Sequence, residues 1–113
     1  MVRDPQAYLA DARRAADAIL AYTNSKTFDD YAGDELLQSA VERQFVTIGE
    51  ALAQLARTDA ALAGRIPDLA RIVAFRNILV HGYALVDHDQ VWSAVRTRLP
   101  GLRDMLTELL GEG

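Results

Sequence analysis

The chain has no cysteine, three prolines and seven glycines among its 113 residues. Without cysteine there is no disulfide framework, no thiolate metal site and no cysteine nucleophile. No uninterrupted apolar run approaches the roughly 20 residues of a membrane-spanning helix, and Met1 to Pro5 contain no apolar signal region. Length and composition therefore predict a soluble, cytoplasmic protein with a single domain over residues 1–113.

Signatures of several enzyme classes are also missing. The sequence has no glycine-rich phosphate loop, no repeated metal-ligand pattern and no serine-centred nucleophile elbow. Asp87-His88-Asp89 contains metal-ligand residue types, but it lies where a helix should begin, and aspartate is the expected cap there. We therefore predict no metal and no cofactor.

Positive charge comes almost entirely from arginine, with eleven arginines and one lysine, Lys26. The formal charge of −4 argues against indiscriminate binding to nucleic acid, although it is compatible with a local basic groove. Arginine forms planar bidentate contacts with phosphate or carboxylate, which lysine does not. A genome that favours arginine codons would give the same composition, so composition alone leaves both explanations open.

Hydrophobic residues make up 50% of the chain, and the abundance of alanine and leucine favours helices over strands. Apolar residues at helical spacing predict main helices over about 5–23, 34–57 and 68–81, and a fourth that starts near His88. A short helical turn at about 60–63 is expected between the second and third of them.

Caps and breakers mark the ends of these helices. Asp4, Asp34 and Asp87 precede them and can accept hydrogen bonds from free backbone N–H groups. Residues 23–33 are predicted to form a loop, and Leu99-Pro100-Gly101 should kink or break the last helix. Short connections make neighbouring helices antiparallel, so we predict an all-α, up-down four-helix bundle with a broken C-terminal helix.

Six apolar residues form a narrow stripe along the second helix: Leu37, Val41, Phe45, Ile48, Leu52 and Leu55. Val46 and Gly49 lie on the flanks of this stripe, where neither is an ordinary solvent residue. A second surface buried against another chain would account for both. Simple tolerance of a valine on the surface is an equal alternative for Val46.

The stretch from Arg76 to Tyr83 places four polar side chains of catalytic type in an otherwise apolar segment. On a helical wheel, Arg76 falls in the middle of the apolar stripe, which consists of Leu69, Ile72, Val73, Leu79 and Val80. Asn77 and His81 are i, i+4 neighbours that can touch, and Gly82 fits the left-handed residue past the helix end. Burying polar groups without partners costs several kcal/mol, so the segment needs an explanation.

A structural and a chemical explanation compete. Arg76 could extend to solvent or pair with a carboxylate such as Glu50. Alternatively, His81 could remove the proton of an RNA 2′-hydroxyl while Arg76 stabilises the phosphate, without a metal. The two side chains point about 140° apart on one helix, so a shared cleft would require two copies meeting across a two-fold axis.

Arg76-Asn77-Ile78-Leu79-Val80-His81 matches the Arg-x4-His motif of HEPN domains, and His81-Gly82-Tyr83 extends the match to Arg-x4-His-x-Tyr. With this extended motif the chain resembles the HepT branch of the HEPN family. The resemblance covers nearly the whole chain, since residues 40–45 and 48–51 are similar to the second-helix pattern, and Ile66-Pro67, Val86-Asp87 and Leu99-Pro100 also fit. Val46-Thr47 departs from the pattern, because relatives often carry an acidic and an apolar residue there.

The resemblance implies the homodimeric toxin of a bacterial toxin–antitoxin pair, acting as a metal-independent endoribonuclease on RNA. By position, Arg76 and His81 would be catalytic and Asn77 would support them. The partner in this family, the minimal nucleotidyltransferase MntA, would neutralise the toxin by transferring AMP to Tyr83. The added bulk and negative charge beside the cleft would exclude RNA phosphate.

Two other functions are compatible with the sequence. The chain could be a non-catalytic HEPN module that binds a nucleotidyltransferase partner or a nucleotide, or a helical scaffold in which Arg76 is merely ion-paired. The presence of both Arg76 and His81 favours the enzyme, because a binding module does not need the histidine. Arg43 and Glu50 are candidates for supporting the site or the dimer interface, and a purely structural role is the alternative for each.

Overall fold

A computed structural model describes residues 3–111, and Met1, Val2, Glu112 and Gly113 lie outside it. The three long helices are α1 (Pro5–Tyr22), α3 (Glu35–Thr58) and α5 (Leu69–His81). The connections between them contain two short helices, α2 (Phe28–Ala32) and α4 (Ala60–Ala63). A 3₁₀ turn (Tyr83–Leu85) follows α5, and the C-terminal helix consists of α6 (His88–Ser93), a π-helical turn (Ala94–Arg98) and α7 (Leu99–Leu109).

The predicted caps lie at the starts of these helices. Asp4 accepts a hydrogen bond from the backbone N–H of Gln6 at 2.9 Å. Asp34 accepts from the backbone N–H of Leu37 at 3.0 Å, and Asp87 caps α6 in the same way. Each cap satisfies a backbone donor that has no partner inside the helix, which is why the helix boundaries follow the aspartates.

Helix α3 is the centre of the bundle, packing against α1 on one side and α5 on another, while α1 also packs against α7. All six residues of the predicted α3 stripe are buried. The chain is thus an all-α helical bundle, as predicted, and no strand occurs within residues 3–111. In the same range, no helix is both long enough and apolar enough to cross a membrane.

The prediction of a loop over residues 23–33 is wrong in its second half, which forms α2. The Thr27 hydroxyl accepts from the backbone N–H of Asp30 at 3.2 Å, and the Asp30 carboxylate accepts from the backbone N–H of Thr27 at 2.8 Å. These two bonds form a capping box, which starts a helix inside the stretch that was predicted to be a loop. Helix α2 places the Tyr31 ring in the core.

The C-terminal helix is broken as predicted, but its irregular turn lies before Pro100 instead of at residues 99–101. A proline ring clashes with the carbonyl four residues earlier, here that of Arg96. The π-helical turn Ala94–Arg98 contains this residue, and the wider turn of a π-helix offers a way to relieve that clash. The chain therefore remains helical through Leu99 and Pro100.

Candidate functional site

Helix α5 is rich in apolar residues, yet much of it is uncovered. Leu79 is the one buried residue of this helix, all of which lies in the described part of the chain. Ile78 and Val80 are 40% and 41% exposed, so the prediction that Val80 belongs to the buried stripe is wrong. Ile72 and Phe75 pack on the core beside Leu79, because α5 packs chiefly on α3 and one neighbour covers only one side of a helix.

Helix α5 comes close to α3 at Gly49. A Cβ atom at this position would lie 2.3 Å from the Cβ and 2.7 Å from the Cγ of Arg76. Real Cβ atoms essentially never approach other atoms within 3.0 Å, so this contact requires glycine. The prediction that Gly49 marks a surface against another chain is therefore unnecessary, because α5 of the same chain covers it.

The Arg76 guanidinium has two partners, and one of its nitrogen atoms is buried without a partner in the described part of the chain. Its Nη1 donates to Asn77 Oδ1 at 2.6 Å, and its Nη2 lies 3.8 Å from Glu50 Oε1. Its Nε is buried and has no hydrogen-bond partner within residues 3–111. The Glu50 side chain is 52% exposed, and such a long, half-exposed ion pair contributes little stability. The pair therefore orients Arg76 more than it stabilises the fold.

His81 and Tyr83 are both accessible to solvent. His81 is exposed in the last turn of α5, and Tyr83, which begins the 3₁₀ turn, is 82% exposed. The Asn77 carbonyl accepts from Arg76, and within residues 3–111 no hydrogen bond joins Asn77 to His81. The structure therefore brings Arg76, Asn77 and Glu50 together, and leaves His81 and Tyr83 open.

The predicted left-handed conformation of Gly82 is wrong, since its φ and ψ are −109° and 41°. The Gly82 N–H donates to the carbonyl of Ile78 at 2.9 Å, and its carbonyl accepts from the N–H of Leu85 at 2.7 Å. The chain thus passes directly from α5 into the 3₁₀ turn. Because both backbone groups are satisfied in this path, no left-handed residue is needed to end the helix.

Two grooves border α5. The first has a volume of about 440 Å³ and lies beside α1 and α3, with Arg76 and Glu50 in its wall. The second has a volume of about 720 Å³, lies between α5 and α7, and has a mainly apolar lining that includes Phe75 and Leu102. Arg43 is exposed on α3 and lines neither groove, so the structure gives it no contact with the candidate site.

A second polar cluster lies where α2, α3 and α6 meet, and it was not predicted. The His88 ring packs edge-on against Tyr31 with their centroids 5.8 Å apart. His88 Nδ1 and the Tyr31 hydroxyl are both buried without hydrogen-bond partners in the described part of the chain. Burial raises the pKa of Glu42, and nearby His88 partly offsets this. No group of three or more potential ligands in residues 3–111 could hold a metal ion, and Asp87 acts as a cap.

Sequence reasoning also missed the polar wall of the first groove. Thr47, Glu50, Gln54 and Arg57 line this groove from α3. Their spacing of three, four and three residues places them on one helix face. That periodicity is visible in the sequence, but a polar face opposite an apolar stripe is typical of any surface helix and does not by itself indicate a groove.

Comparisons with known proteins agree on one family. A family model described as ribonuclease HepT-like matches residues 12–109. A probable ribonuclease HepT from Thermococcus cleftensis is 32% identical over 111 residues, which cover 96% of this chain and 98% of that protein. A proposed RNase from Methanocaldococcus jannaschii is 28% identical, with 97% of this chain and 93% of that protein covered.

A longer protein from Methanocaldococcus jannaschii, named as a gamma-glutamylcyclotransferase and proposed RNase, is 30% identical over 112 residues. The match covers 99% of this chain, which spans about half (50%) of that protein's length. No solved structure matches the chain significantly. The family model covers most of the chain, and the Thermococcus cleftensis relative matches along nearly its full length. The chain therefore belongs to the HepT-like family of ribonucleases.

Proposed function

We propose that this chain is a metal-independent endoribonuclease that acts as the toxin of a toxin–antitoxin pair, with Arg76 and His81 as its catalytic residues. The observation that carries the proposal is the contrast between the two side chains. Arg76 is fixed by Asn77 and by the contact at Gly49, whereas His81 is exposed at the end of the same helix. A fixed cation and an accessible acid–base group are the two parts that phosphodiester cleavage needs.

In the proposed reaction, His81 takes the proton of an RNA 2′-hydroxyl, and the 2′-oxygen attacks the adjacent phosphorus. The new P–O2′ bond forms as the P–O5′ bond breaks, which gives a 2′,3′-cyclic phosphate. The departing 5′-oxygen takes a proton from water or from a second acid. Arg76 donates hydrogen bonds to the non-bridging phosphate oxygens, where negative charge increases in the transition state.

The proposed enzyme is a homodimer in which two copies of α5 line one cleft. Arg76 faces α3, whereas His81 lies on the exposed side of α5. Within one copy the Arg76 and His81 side chains therefore point in different directions. A second copy could bring its own arginine or histidine to the same phosphate. Ile78, Val80 and Leu85 are 40%, 41% and 76% exposed, and burying them against a partner would be favourable.

The antitoxin in this proposal is a minimal nucleotidyltransferase of the MntA type, and Tyr83 is its target. The Tyr83 hydroxyl oxygen attacks the α-phosphorus of ATP, releases pyrophosphate and loses its proton. Tyr83 is 82% exposed and lies two residues after His81, so it is open to a modifying enzyme and close to the cleft. Its adenylate would repel RNA phosphate and occupy the entrance.

Cleavage of RNA in the presence of EDTA tests the central claim. The wild-type protein should cleave, while Arg76→Ala and His81→Ala should each lose at least about a hundredfold in rate. Circular dichroism of both variants checks that the helices remain. Arg65→Ala, which changes an exposed arginine outside both grooves, is the matched control and should retain activity. Undiminished cleavage by both motif variants would rule out the assigned roles.

Two further measurements test the dimer and the modification. Val80→Glu should shift the protein toward monomer in light scattering, because a charge would be buried at the proposed interface. Mass spectrometry after co-expression with a minimal nucleotidyltransferase of the MntA type should show one added adenylate on Tyr83. If the toxin is fully neutralised while Tyr83 remains unmodified, the antitoxin inhibits by binding alone and the proposed modification is wrong.

A further inference from the structure

The groove that holds Arg76 continues along α3, away from the motif. Thr47, Glu50, Gln54 and Arg57 all line it, and they share one face of α3. Arg57 follows Glu50 by seven residues, which places it about 10 Å further along the helix axis. The groove thus has one arginine at the candidate catalytic position and another about two helical turns away.

Arg57 is the one arginine of this groove that has no partner within residues 3–111. Arg3 donates to Asp11 at 2.8 Å, and its guanidinium lies 4.9 Å from the centre of the Tyr8 ring. Arg76 is held by the contacts described above. Arg57 is exposed and forms neither a hydrogen bond nor an ion pair with the described residues, so its donors are available to a ligand.

The acidic residues of the groove do not cancel this charge. Asp11 already accepts from Arg3 at 2.8 Å and from Arg14 at 3.3 Å. Glu50 pairs with Arg76. A structural reason for a cation at Arg57 exists, because it lies in the last turn of α3, where the helix dipole favours positive charge. That reason explains the charge, but not why the side chain lines a groove that leads to Arg76.

We propose that this groove is an RNA backbone subsite in which Arg57 binds a phosphate upstream or downstream of the one held at Arg76. The proposal rests on the ribonuclease function proposed above. An arginine binds a phosphate through two parallel hydrogen bonds, while the Gln54 amide offers a neutral donor to phosphate or sugar oxygens. Backbone contacts position the strand without reading its bases, so the subsite increases affinity for any single-stranded sequence.

The test compares Arg57→Ala and Arg57→Lys with the control Arg65→Ala in the full-length protein. The probe is a fluorescent, mixed-sequence single-stranded RNA titrated at several salt concentrations. Arg57→Ala should bind about tenfold more weakly at low salt, and its salt slope should fall by about 0.7 to 1. Arg57→Lys should recover much of the affinity, and Arg65→Ala should match the wild type. In cleavage assays, Arg57→Ala should raise KM more than it lowers kcat, and more for a long RNA than for a dinucleotide.

The outcomes separate this proposal from the proposed function. If the wild type cleaves RNA and Arg57→Ala behaves like Arg65→Ala, the subsite is wrong and the ribonuclease stands. If the wild type binds but does not cleave RNA, and Arg57→Ala alone weakens binding, the subsite stands and the catalytic proposal fails. If Arg57→Ala lowers the Tm but leaves the RNA affinity unchanged, Arg57 serves only to stabilise the C-terminal end of α3. That result also overturns the subsite.

Discussion

Replacing Gly49 by alanine should displace α5 from α3. The added Cβ would lie 2.3 Å from the Cβ of Arg76, whereas ordinary van der Waals contact begins at 3.4 Å. The two helices must therefore separate locally by about 1.1 Å, the difference between these two distances. A side-chain rotation does not relieve the clash, because the position of the Arg76 Cβ is fixed by its own backbone.

The expected loss of stability follows from two opposing effects. Alanine in a helix interior is favoured over glycine by about 1 kcal/mol. Overpacking at a tight contact costs about 1–3 kcal/mol. We therefore expect Gly49→Ala to lower the free energy of unfolding by about 1 kcal/mol, or the Tm by about 5 °C. Gly101→Ala is the matched control, since a Cβ there meets nothing within 4 Å and alanine should stabilise α7.

The expected loss of activity is larger than the loss of stability. A displacement of about 1 Å at a catalytic group can reduce a rate by about a hundredfold. Gly49→Ala should therefore lower kcat for RNA cleavage by about tenfold to a hundredfold at a temperature where the variant is folded. Urea denaturation and steady-state kinetics measure the two effects separately. Wild-type stability together with wild-type kcat would refute the argument that Gly49 positions Arg76.

Three other predictions concern stability, each measured by urea or thermal denaturation. Burial raises the pKa of Glu42, so the folded state loses stability as the pH rises from the pKa of the unfolded chain through the raised pKa of the folded one. Glu42→Gln should therefore raise the Tm by about 2 °C at pH 7. An equal gain near pH 4 would contradict this explanation. Tyr31→Phe removes a buried hydroxyl that lacks a partner within residues 3–111. The substitution should therefore leave the free energy of unfolding unchanged or raise it by up to about 1 kcal/mol. A decrease of more than about 1 kcal/mol would show that the hydroxyl forms a hydrogen bond. Asp34→Ala removes the cap bond to Leu37 and should cost about 1 kcal/mol, and an unchanged urea midpoint would show that the cap is dispensable.

The long helices were predictable because independent local signals coincide. In α3, the apolar stripe and the Asp34 cap mark the same helix, and the structure starts it at Glu35. Helix α2 was not predicted because its five residues are too few to show a period, and Asp30, which completes its capping box with Thr27, is equally typical of a turn. Gly82 was assigned a left-handed conformation from a common helix ending, but the following 3₁₀ turn satisfies the same backbone groups.

The buried face of α5 could be predicted only in part. Leu69, Ile72 and Leu79 of the expected stripe pack on the core and Arg76 faces α3, but Val80 is exposed. Apolar residues surround this helix on several sides, so no polar face indicates which side meets α3. The side that meets α3 is set by Gly49, a residue on another helix that allows the close approach of Arg76. The spacing of apolar residues along α5 does not show which side meets α3, because that side depends on the contact between Gly49 and Arg76, which are 27 residues apart in the sequence.

The same packing explains why the candidate site is incomplete in one chain. Because α3 takes the side of α5 that carries Arg76, no helix within residues 3–111 covers the side that carries His81. A helix that is apolar on several sides gains free energy by covering more than one of them. Ile78 and Val80 are exposed side chains left for such a cover, and they precede His81 by three residues and by one residue. A partner that buries them must therefore approach His81, so the surface that would drive dimerisation and the surface that would complete the chemistry coincide. Val80→Glu should for this reason lower the fraction of dimer and the cleavage rate together, and a fully active monomer would break that connection.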